Sequence, residues 1–542
     1  MPILICPCPD LKFDAQALVA QLSRKGLEVR LTPRLCTPAG LAELRQALAT
    51  GPEQFLIAAC GPEVNAGLFQ RLWGDACPPI IDLLDLEDLE TAAGVLHLAQ
   101  ASPPAAAPAV TPASREVLVV GGGIAGCQAA LDLADAGHQV YLVDSSLSIG
   151  GTMAQLDKTF PTLDCSICIL GPRLVEAATH PNIELLTYVD LGAIRGRAGA
   201  FEVDLTLRPR YVDMAKCVGC GACAEVCPVI VPSRWNLGLK PRKCIRIVFA
   251  QAVPLRSTLE REYCIDCQMC VAACDRQAID LEARPVERRL LVGAIILATG
   301  ARPLDPSLKS EYGYGRLPRV ITALEYERLV CATGPTGGNL LAPDGSPVKS
   351  LAFIQCVGSR DRRFLPYCSG ICCTASIKEA MLALEHNPEA QVTVFFNDIR
   401  TSGKGFEDLY LRAQKAGVRF VKGLPGRLEA DDSGRPVIHY EDQLSGRRRR
   451  LTVDLAVLAV GLAPPPEIPA FEDDGPERDA FGFFRGRHPT LKPLASTLPG
   501  VFLAGTCQGP QDISETVCQG SAAAAQVMQL LSPKNQNASN RP

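Results

Sequence analysis

Two runs of cysteine with one shared spacing carry the most specific chemistry in the sequence. Each run reads C-x2-C-x2-C-x3-C, a pattern in which three thiolates bind one 4Fe-4S cluster and the fourth binds the other cluster of the pair. The first predicted cluster has the ligands Cys217, Cys220, Cys223 and Cys274, and the second has Cys264, Cys267, Cys270 and Cys227. Paired zinc sites or buried thiols are the alternatives, but zinc ribbons favour two C-x2-C pairs separated by a longer loop. Asp275 follows the second run where proline is usual.

A glycine-rich turn predicts a dinucleotide site ahead of these runs. Gly121, Gly123 and Gly126 have the spacing G-x-G-x-x-G between a buried strand and a helix, and Asp144 ends the next strand. Such glycines let the backbone approach a pyrophosphate at a helix N-terminus, and the acid accepts hydrogen bonds from a ribose. An ordinary tight turn is the alternative.

Two later segments favour FAD over NAD as that dinucleotide. Residues 291–300 form an apolar strand that ends in Ala-Thr-Gly, as in flavoproteins with two dinucleotide domains, and residues 501–505 are similar to their last flavin-contacting strand. Thr506 and Cys507 stand where an aspartate is usual, so Gln508 or Asp512 is expected to contact the ribityl chain. The remaining predicted FAD-binding residues are Gly151, Thr299, Gly300 and Gly505.

A second dinucleotide domain is predicted over residues 350–465, with strands at 351–355, 392–396 and 455–461 and a helix at 374–385. It has no glycine fingerprint in the loop after its first strand. Four cysteines occupy the place where a phosphate would lie: Cys356, Cys368, Cys372 and Cys373. In a reduced compartment they predict a third 4Fe-4S cluster, with buried thiols around an empty nucleotide pocket as the alternative. Electrons would then leave or reach the flavin through a cluster, and not as hydride from a nicotinamide nucleotide bound in this domain.

The remaining cysteines allow several assignments. Cys165 and Cys168 form a C-x2-C that could be a redox dithiol, a pair of structural thiols, or ligands of a fourth cluster. The fourth cluster, which we favour, would add some of the N-terminal thiols Cys6, Cys8, Cys36, Cys60 and Cys77. Five others are expected to be packing residues, namely Cys127, Cys244, Cys331, Cys507 and Cys518.

Composition limits the class of protein that carries these sites. The 542 residues include 24 cysteines and have a formal net charge of −4, without the basic excess of a nucleic-acid-binding protein. The longest apolar run, residues 290–299, is far shorter than the ~18 residues of a membrane span, and the N-terminus lacks signal-peptide features. We therefore expect a soluble cytoplasmic protein with reduced thiols.

The elements around the motifs predict an α/β flavoprotein with two dinucleotide-binding domains, of the thioredoxin-reductase-like class. A small N-terminal α/β domain (1–100) is joined to it by a Pro/Ala linker (101–114). The FAD-binding domain comprises 115–209, 284–349 and 466–531, and a ferredoxin-like module with two 4Fe-4S clusters (210–283) is inserted into it. The second domain is 350–465, and residues 532–542 are expected to be a disordered tail.

Six segments together closely resemble the family of heterodisulfide reductase A subunits. They are GGGIAGCQAALDLADAGHQVYLVD, DCSICILGPRL, the doubled cysteine motif, CVGSRD…YCSGICCTASIKEA, DIRTSGKGFEDLY and FLAGTCQGPQDISETVCQGSAAA. The resemblance covers nearly all of residues 115–530 and extends weakly to the first domain. It implies a flavin that bifurcates electrons, partner subunits that carry the disulfide-reducing chemistry, an electron-donor subunit, and a homodimer within the complex.

The resemblance also implies a role for Lys378, five residues after Cys373, as a cation that contacts the flavin N5; a solvated helix lysine is the alternative. Longer members of the family carry a second ferredoxin module at the C-terminus, before which this chain stops.

We therefore expect the FAD- and iron–sulfur-containing subunit that distributes electrons in such a complex. Two other functions remain open. One is a non-bifurcating wiring subunit of a quinone-linked complex. The other is an NAD(P)H-dependent flavin oxidoreductase of the glutamate-synthase small-subunit type, which the missing second glycine fingerprint disfavours.

Overall fold

The computed structural model describes residues 3–8, 11–35, 37–48, 56–59, 80–82, 113–465, 471–472 and 475–532. Cys36, Cys60, Cys77, most of the expected linker and the expected tail lie outside these residues. The chain forms two compact units. The first comprises residues 1–110, 486–497 and 533–542, and the second comprises residues 111–485 and 498–532.

The first unit has a parallel α/β sheet, as its alternating apolar strands and helices predict. Its elements are β1 (Ile3–Ile5), α1 (Ala15–Arg24), β2 (Val29–Leu31), α2 (Pro38–Leu48), β3 (Leu56–Ala59) and β4 (Ile80–Asp82). The strand order is β2-β1-β3-β4. Helix α1 begins where the Asp14 side chain accepts a hydrogen bond from the Gln16 N–H, and it buries Leu18 and Leu22 against β1.

The FAD-binding domain opens the second unit. Its first elements are β5 (Val117–Val120), α3 (Ile124–Asp135), β6 (Val140–Asp144), α4 (Ser166–Thr179), β7 (Ile183–Thr187), β8 (Val189–Arg197) and β9 (Ala200–Leu207). A short 3-10 turn, Thr152–Gln155, lies between β6 and α4. All four residues of β5 are buried, as expected for a central parallel strand.

The inserted module has short elements that connect its two cysteine runs. They are α5 (Ala222–Val226), β10 (Ile230–Pro232), β11 (Pro241–Lys243), β12 (Ile245–Arg246), β13 (Thr258–Leu259) and α6 (Met269–Ala272). The chain returns through β14 (Val286–Val292), β15 (Ala294–Leu297) and β16 (Arg302–Pro303). Strand β14 pairs antiparallel with β9, so the module leaves and rejoins the domain at one small sheet.

The second dinucleotide-type domain follows, with a five-stranded parallel sheet. Its elements are β17 (Val320–Thr322), α7 (Ala323–Val330), β18 (Ser350–Val357), α8 (Cys372–His386), β19 (Gln391–Phe396), α9 (Phe406–Lys415), β20 (Arg419–Lys422), β21 (Arg427–Ala430), β22 (Pro436–Asp442), β23 (Arg447–Thr452), β24 (Leu455–Val460) and β25 (Leu462–Ala463). The sheet order is β17-β24-β18-β19-β20, and β21 to β23 form a separate antiparallel sheet. The strands and helix expected for this domain are confirmed, but its sheet also contains β17, which lies before the expected boundary at residue 350.

The last elements of the chain are divided between the two units. Strands β26 (Gly486–His488) and β27 (Lys492–Ser496) form an antiparallel hairpin of the first unit, whereas β28 (Val501–Leu503) and α10 (Ile513–Leu531) belong to the second. Strand β28 pairs in parallel with β15, which pairs with β5, then β6, then β7. Three distant parts of the chain thus build one sheet. No helix in the described ranges is long and apolar enough to cross a membrane.

Candidate flavin and iron–sulfur sites

The glycine-rich turn brings the backbone of β5 and α3 unusually close together. Gly121 has φ +107°, and a Cβ there would lie 2.3 Å from the Ala298 carbonyl oxygen. A Cβ at Gly126 would lie 1.9 Å from the Gly121 carbonyl oxygen. Because only glycine fits both places, the N-terminus of α3, which begins after Gly123, is held at the end of β5 with its amide groups exposed to a ligand.

A cavity of about 570 Å³ lies in front of this turn and contains most of the predicted FAD-binding residues. Those that line it are Gly121, Gly123, Asp144, Gly151, Thr299, Gly300 and Asp512. Gly126 and Gly505 do not line it; they allow α3 and the turn before α10 to pack closely, since a Cβ at Gly505 would lie 3.0 Å from the Ala125 Cβ. Gln508 is also absent from the lining, so of the two expected ribityl contacts only Asp512 lies at the cavity.

The Asp144 carboxylate is fixed at the edge of the cavity. Its Oδ2 accepts a hydrogen bond of 2.7 Å from the Gly122 N–H, and its Oδ1 accepts one of 2.7 Å from the Ser146 N–H. Each carboxylate oxygen has a second lone pair for a ribose hydroxyl. The position agrees with the expected ribose contact, which stays a prediction.

Two buried polar atoms at the cavity lack partners within the protein and provide a test of fit to FAD. They are the Thr299 Oγ1 and the Gln511 Oε1. An unpaired buried polar group costs about 1–3 kcal/mol, so these atoms favour a ligand with hydroxyl and amide groups, as FAD has. With the helix N-terminus for the pyrophosphate, the residues fit this cofactor. Sequence reasoning missed Gln511, although it directly precedes Asp512.

The cysteines of the inserted module form two neighbouring groups. Cys223 lies near Cys217 and Cys220, while Cys270 lies near Cys264, Cys223 and Cys227. The two cysteine runs therefore meet, and their division into the two predicted ligand sets stays a prediction. Burial raises the pKa of the Cys270 thiol to about 11, and the nearby thiols contribute to this shift. Cys274 packs on the same core, and Cys220 and Cys267 are exposed at the surface.

Cys244 lies beside the second of these groups. It is 1% exposed, as expected for a packing residue, and faces Cys227 and Cys264. Its thiol donates a hydrogen bond of 3.1 Å to the Glu260 carbonyl oxygen, and burial raises its pKa to about 11. Cys518, by contrast, is exposed on α10, so its prediction as a packing residue is wrong: it lies on the outer side of an amphipathic helix.

The four cysteines of the second domain come together at the end of β18 and the start of α8. Cys372 faces Cys356, Cys368 and Cys373, and burial is the first cause of its raised thiol pKa. Cys356 has φ +58°, a conformation that residues other than glycine rarely adopt and that is common at functional sites. Arg360 and Arg400 act against the burial that raises the pKa of the Cys356 and Cys373 thiols, and the Cys373 thiol donates hydrogen bonds of 3.3 Å to the Gln355 Oε1 and 3.4 Å to the Asp398 carbonyl oxygen. The two arginines favour a negative charge on this group of thiols.

Cys165 and Cys168 are joined by a disulfide at the N-terminus of α4, where the Cys165 Sγ also accepts a hydrogen bond from the Cys168 N–H. A disulfide is the oxidised form of a redox dithiol, which was one of the three assignments considered for these two cysteines. Both sulfurs could bind a fourth cluster only after reduction of this bond, and three of the N-terminal thiols proposed for that cluster lie outside the described residues. The fourth cluster stays a prediction.

Lys378 is buried and paired. Its side chain is 2% exposed, and its Nζ forms an ion pair with the Glu327 carboxylate. The alternative of a solvated helix lysine is therefore wrong. Lys378 does not line the cavity, and its expected contact with the flavin N5 stays a prediction. Sequence reasoning missed Glu327, which lies in a different helix.

Across the part of the chain that the structure describes, no three His, Cys, Asp or Glu side chains converge as a single metal ion requires. The thiolates of a 4Fe-4S cluster bind four separate iron atoms and need not converge in this way. The cysteine groups are thus compatible with clusters in position and residue type.

Comparisons with known proteins agree with both kinds of site. A family model described as FAD dependent oxidoreductase matches residues 116–161, and a 4Fe-4S binding domain model matches residues 210–229. The fold is also similar to the thioredoxin reductase of Lactococcus lactis, with a TM-score of 0.45 at 15% identity, over 77% of this chain and 99% of that one.

Two relatives from methanogens are similar over most of the chain. The iron-sulfur A subunit of the CoB–CoM heterodisulfide reductase of Methanocaldococcus jannaschii is 41% identical, over 91% of this chain and 79% of its own length. The A subunit of the H2:CoB–CoM heterodisulfide, ferredoxin reductase of Methanothermobacter marburgensis is 46% identical, over 76% of this chain. The matched region spans 63% of the length of the latter protein.

Proposed function

Because the chain belongs to the family of heterodisulfide reductase A subunits, we propose that it is the FAD- and iron–sulfur-containing electron-transfer subunit of a cytoplasmic heterodisulfide reductase-like complex. FAD would exchange electrons with clusters in the inserted module and in the second domain. The protein would bind these cofactors, set their distances and tune their potentials.

One observation carries this proposal: a residue that lines the cavity is followed directly in the chain by two cysteines of the second domain's group. Ile371 lines the cavity, and Cys372 and Cys373 are the next two residues. The loop that binds the phosphates of a nicotinamide cofactor in related folds instead holds four thiols here. A cluster at these thiols would lie beside the flavin and accept single electrons from it or return them.

We further propose the ligand sets given by the sequence, with Cys217, Cys220, Cys223 and Cys274 on one cluster and Cys264, Cys267, Cys270 and Cys227 on the other. We also propose its domain limits, except that the second domain begins at β17. The exposed Cys220 and Cys267 support electron exchange with partner proteins at the surface of this module. The name of the relative from Methanothermobacter marburgensis includes ferredoxin, which is one candidate donor or acceptor. Homodimer formation and flavin-based bifurcation are parts of the same proposal.

A non-bifurcating wiring subunit is the second candidate, because the same cofactor chain could pass electrons between two partners of similar potential. The two candidates differ in the one-electron potentials of the bound flavin. Crossed potentials, with the second electron bound more tightly than the first, are expected for bifurcation, and ordered potentials for simple wiring.

The proposal predicts the cofactor content of the Cys372→Ser variant. Removal of one thiolate should eliminate the cluster of the second domain, which lowers iron by about four atoms per chain. FAD should remain, because Cys372 does not line the cavity. Iron and flavin are measured chemically in the protein purified under anaerobic conditions. The matched control is Cys331→Ser, a buried thiol of the same domain outside the cysteine group; unchanged iron in Cys372→Ser would remove the third cluster.

A further inference from the structure

A glutamine occupies a core position of β18, directly before Cys356. Alternate residues of a strand face the same side of the sheet, and Leu351 and Phe353 pack with Ile377 of α8 in one apolar core. Gln355 is the next residue on that side, and it is 0% exposed. A buried amide is costly unless it is hydrogen bonded, so apolar packing does not explain a glutamine at this position.

Only one end of the Gln355 amide has a partner. Its Oε1 accepts the hydrogen bond of 3.3 Å from the Cys373 thiol, at the start of α8. Its Nε2 is buried and has no hydrogen-bond partner among the residues that the structure describes. Since an amide nitrogen carries two N–H donors, the unpaired end of this side chain can still bind an acceptor.

The proton on Cys373 fixes the orientation of this amide. The thiol has a single proton, which it shares between the Gln355 Oε1 and the Asp398 carbonyl oxygen at 3.4 Å. A cysteine that binds iron has lost this proton, and its sulfur only accepts hydrogen bonds. The Oε1 would then face the sulfur with no donor between them, which is unfavourable.

A rotation of the amide resolves this conflict. Turning it by 180° about its last torsion exchanges the oxygen and the nitrogen, which have nearly the same size, and places an Nε2–H against the sulfur of Cys373. Within the described part of the chain, the Nε2 has no hydrogen bond to lose. The rotation therefore costs only the thiol hydrogen bond, which iron binding removes in any case.

A second buried polar atom without a partner lies on α8. The Ser376 Oγ has no hydrogen bond within the described ranges, and this residue is 0% exposed. Ser376 follows Cys372 by four residues and Cys373 by three, so it lies on the same side of the helix as these cysteines. Buried polar atoms normally have partners, so two unpaired ones beside one cysteine group favour a ligand with several acceptors, as the sulfur atoms of a cluster are.

We propose that Gln355 is a positioning residue for Cys373, and that its Nε2–H bond to the iron-bound sulfur raises the reduction potential of the cluster at Cys356, Cys368, Cys372 and Cys373. This inference rests on the proposed function, which puts a cluster at these four thiols. Reduction adds one electron to the cluster, and a hydrogen bond to its sulfur stabilises the added negative charge. Gln355 thereby sets how readily this cluster takes an electron from the flavin.

A redox titration of the cofactor-loaded chain with dithionite, followed by EPR, tests this inference. Gln355→Met keeps the length of the side chain and suits the apolar core but removes the N–H donor. We expect its cluster iron to remain and the equilibrium constant for the one-electron reduction to fall roughly tenfold, which lowers the midpoint potential by about 59 mV. The clusters of the inserted module should keep their potentials. The matched control is Gln414→Met on α9, where an exposed amide donates to the Tyr410 hydroxyl; it should change no potential.

A measurement on the wild-type sequence does not depend on how Gln355→Met folds. When only the glutamine side-chain amides carry 15N, pulsed EPR of the reduced chain should show a 15N coupling to the cluster. The same labelled chain with Cys372→Ser, which is expected to lack this cluster, should lose the coupling. If Gln355→Met loses the cluster altogether, the coupling in the wild-type chain decides the question.

Iron content separates failure of this inference from failure of the proposed function. Equal iron in the wild type and in Cys372→Ser would show that the cluster is absent, and both proposals would fail. Loss of about four iron atoms in Cys372→Ser, with the wild-type potential in Gln355→Met, would overturn the inference alone. A 15N coupling that is missing from the wild-type chain, or that persists in Cys372→Ser, would also overturn it.

Discussion

At the scale of residues, the ion pair of Lys378 and Glu327 has consequences for stability. Breaking a buried pair by removing one partner typically costs about 3–5 kcal/mol, whereas replacing both partners with neutral groups is much less harmful. Glu327→Gln and Lys378→Met should therefore each lower the midpoint of thermal unfolding clearly. In a double-mutant cycle, the double variant should lose less stability than the sum of the losses in the two single variants.

One outcome of this cycle would contradict an interaction between Lys378 and Glu327. If the two single effects add, the two side chains do not stabilise each other across α7 and α8. Arg173→Ala and Glu176→Ala, which remove an exposed pair on α4, provide the control and should change the midpoint little.

The residue scale also shows what the sequence could and could not predict. The candidate cysteine ligands could be selected from the sequence because their spacing is local, and Gly121 and Asp144 because they lie at fixed places in one strand–helix–strand unit. Glu327 could not be found, because it meets Lys378 across 51 positions of sequence. Gln511 had no motif to mark it and is identified only by its buried, unpaired oxygen.

At the scale of elements, the contact between β5 and α3 controls binding of the flavin. A methyl group at Gly126 would lie 1.9 Å from the Gly121 carbonyl oxygen, so Gly126→Ala should push the helix N-terminus away from the pyrophosphate position. We expect a large loss of bound FAD, measured by flavin absorbance per chain. Gly171→Ala in α4 is the matched control, because nothing lies within 4 Å of the added Cβ. Full FAD content in Gly126→Ala would contradict this role of the turn.

Element boundaries followed from the sequence where apolar periodicity was strong. The strand expected at 392–396 is β19, and the helix expected at 374–385 is α8, which begins two residues earlier at Cys372. Arg447 to Arg450 begin the exposed strand β23 and pair with residues of β22. Local composition indicated exposure correctly but could not reveal the partner strand.

At the scale of the whole molecule, the second unit combines one sheet from three distant segments with an insertion and a second domain. Strands β5, β15 and β28 meet in one parallel sheet, and the two interruptions carry the cysteine groups. The order of motifs in the sequence predicted this arrangement. The disulfide at Cys165 and the closeness of the second domain's cysteines to the flavin cavity needed the tertiary structure.

The central claim is that a cluster, and not a nicotinamide nucleotide, is the partner of the flavin in the second domain. Anomalous diffraction at the iron edge, from crystals of the cofactor-loaded chain grown without oxygen, tests it most directly. We predict an iron peak surrounded by the sulfur atoms of Cys356, Cys368, Cys372 and Cys373. Absence of iron there, together with density for NAD(P)H after β18, would contradict the account.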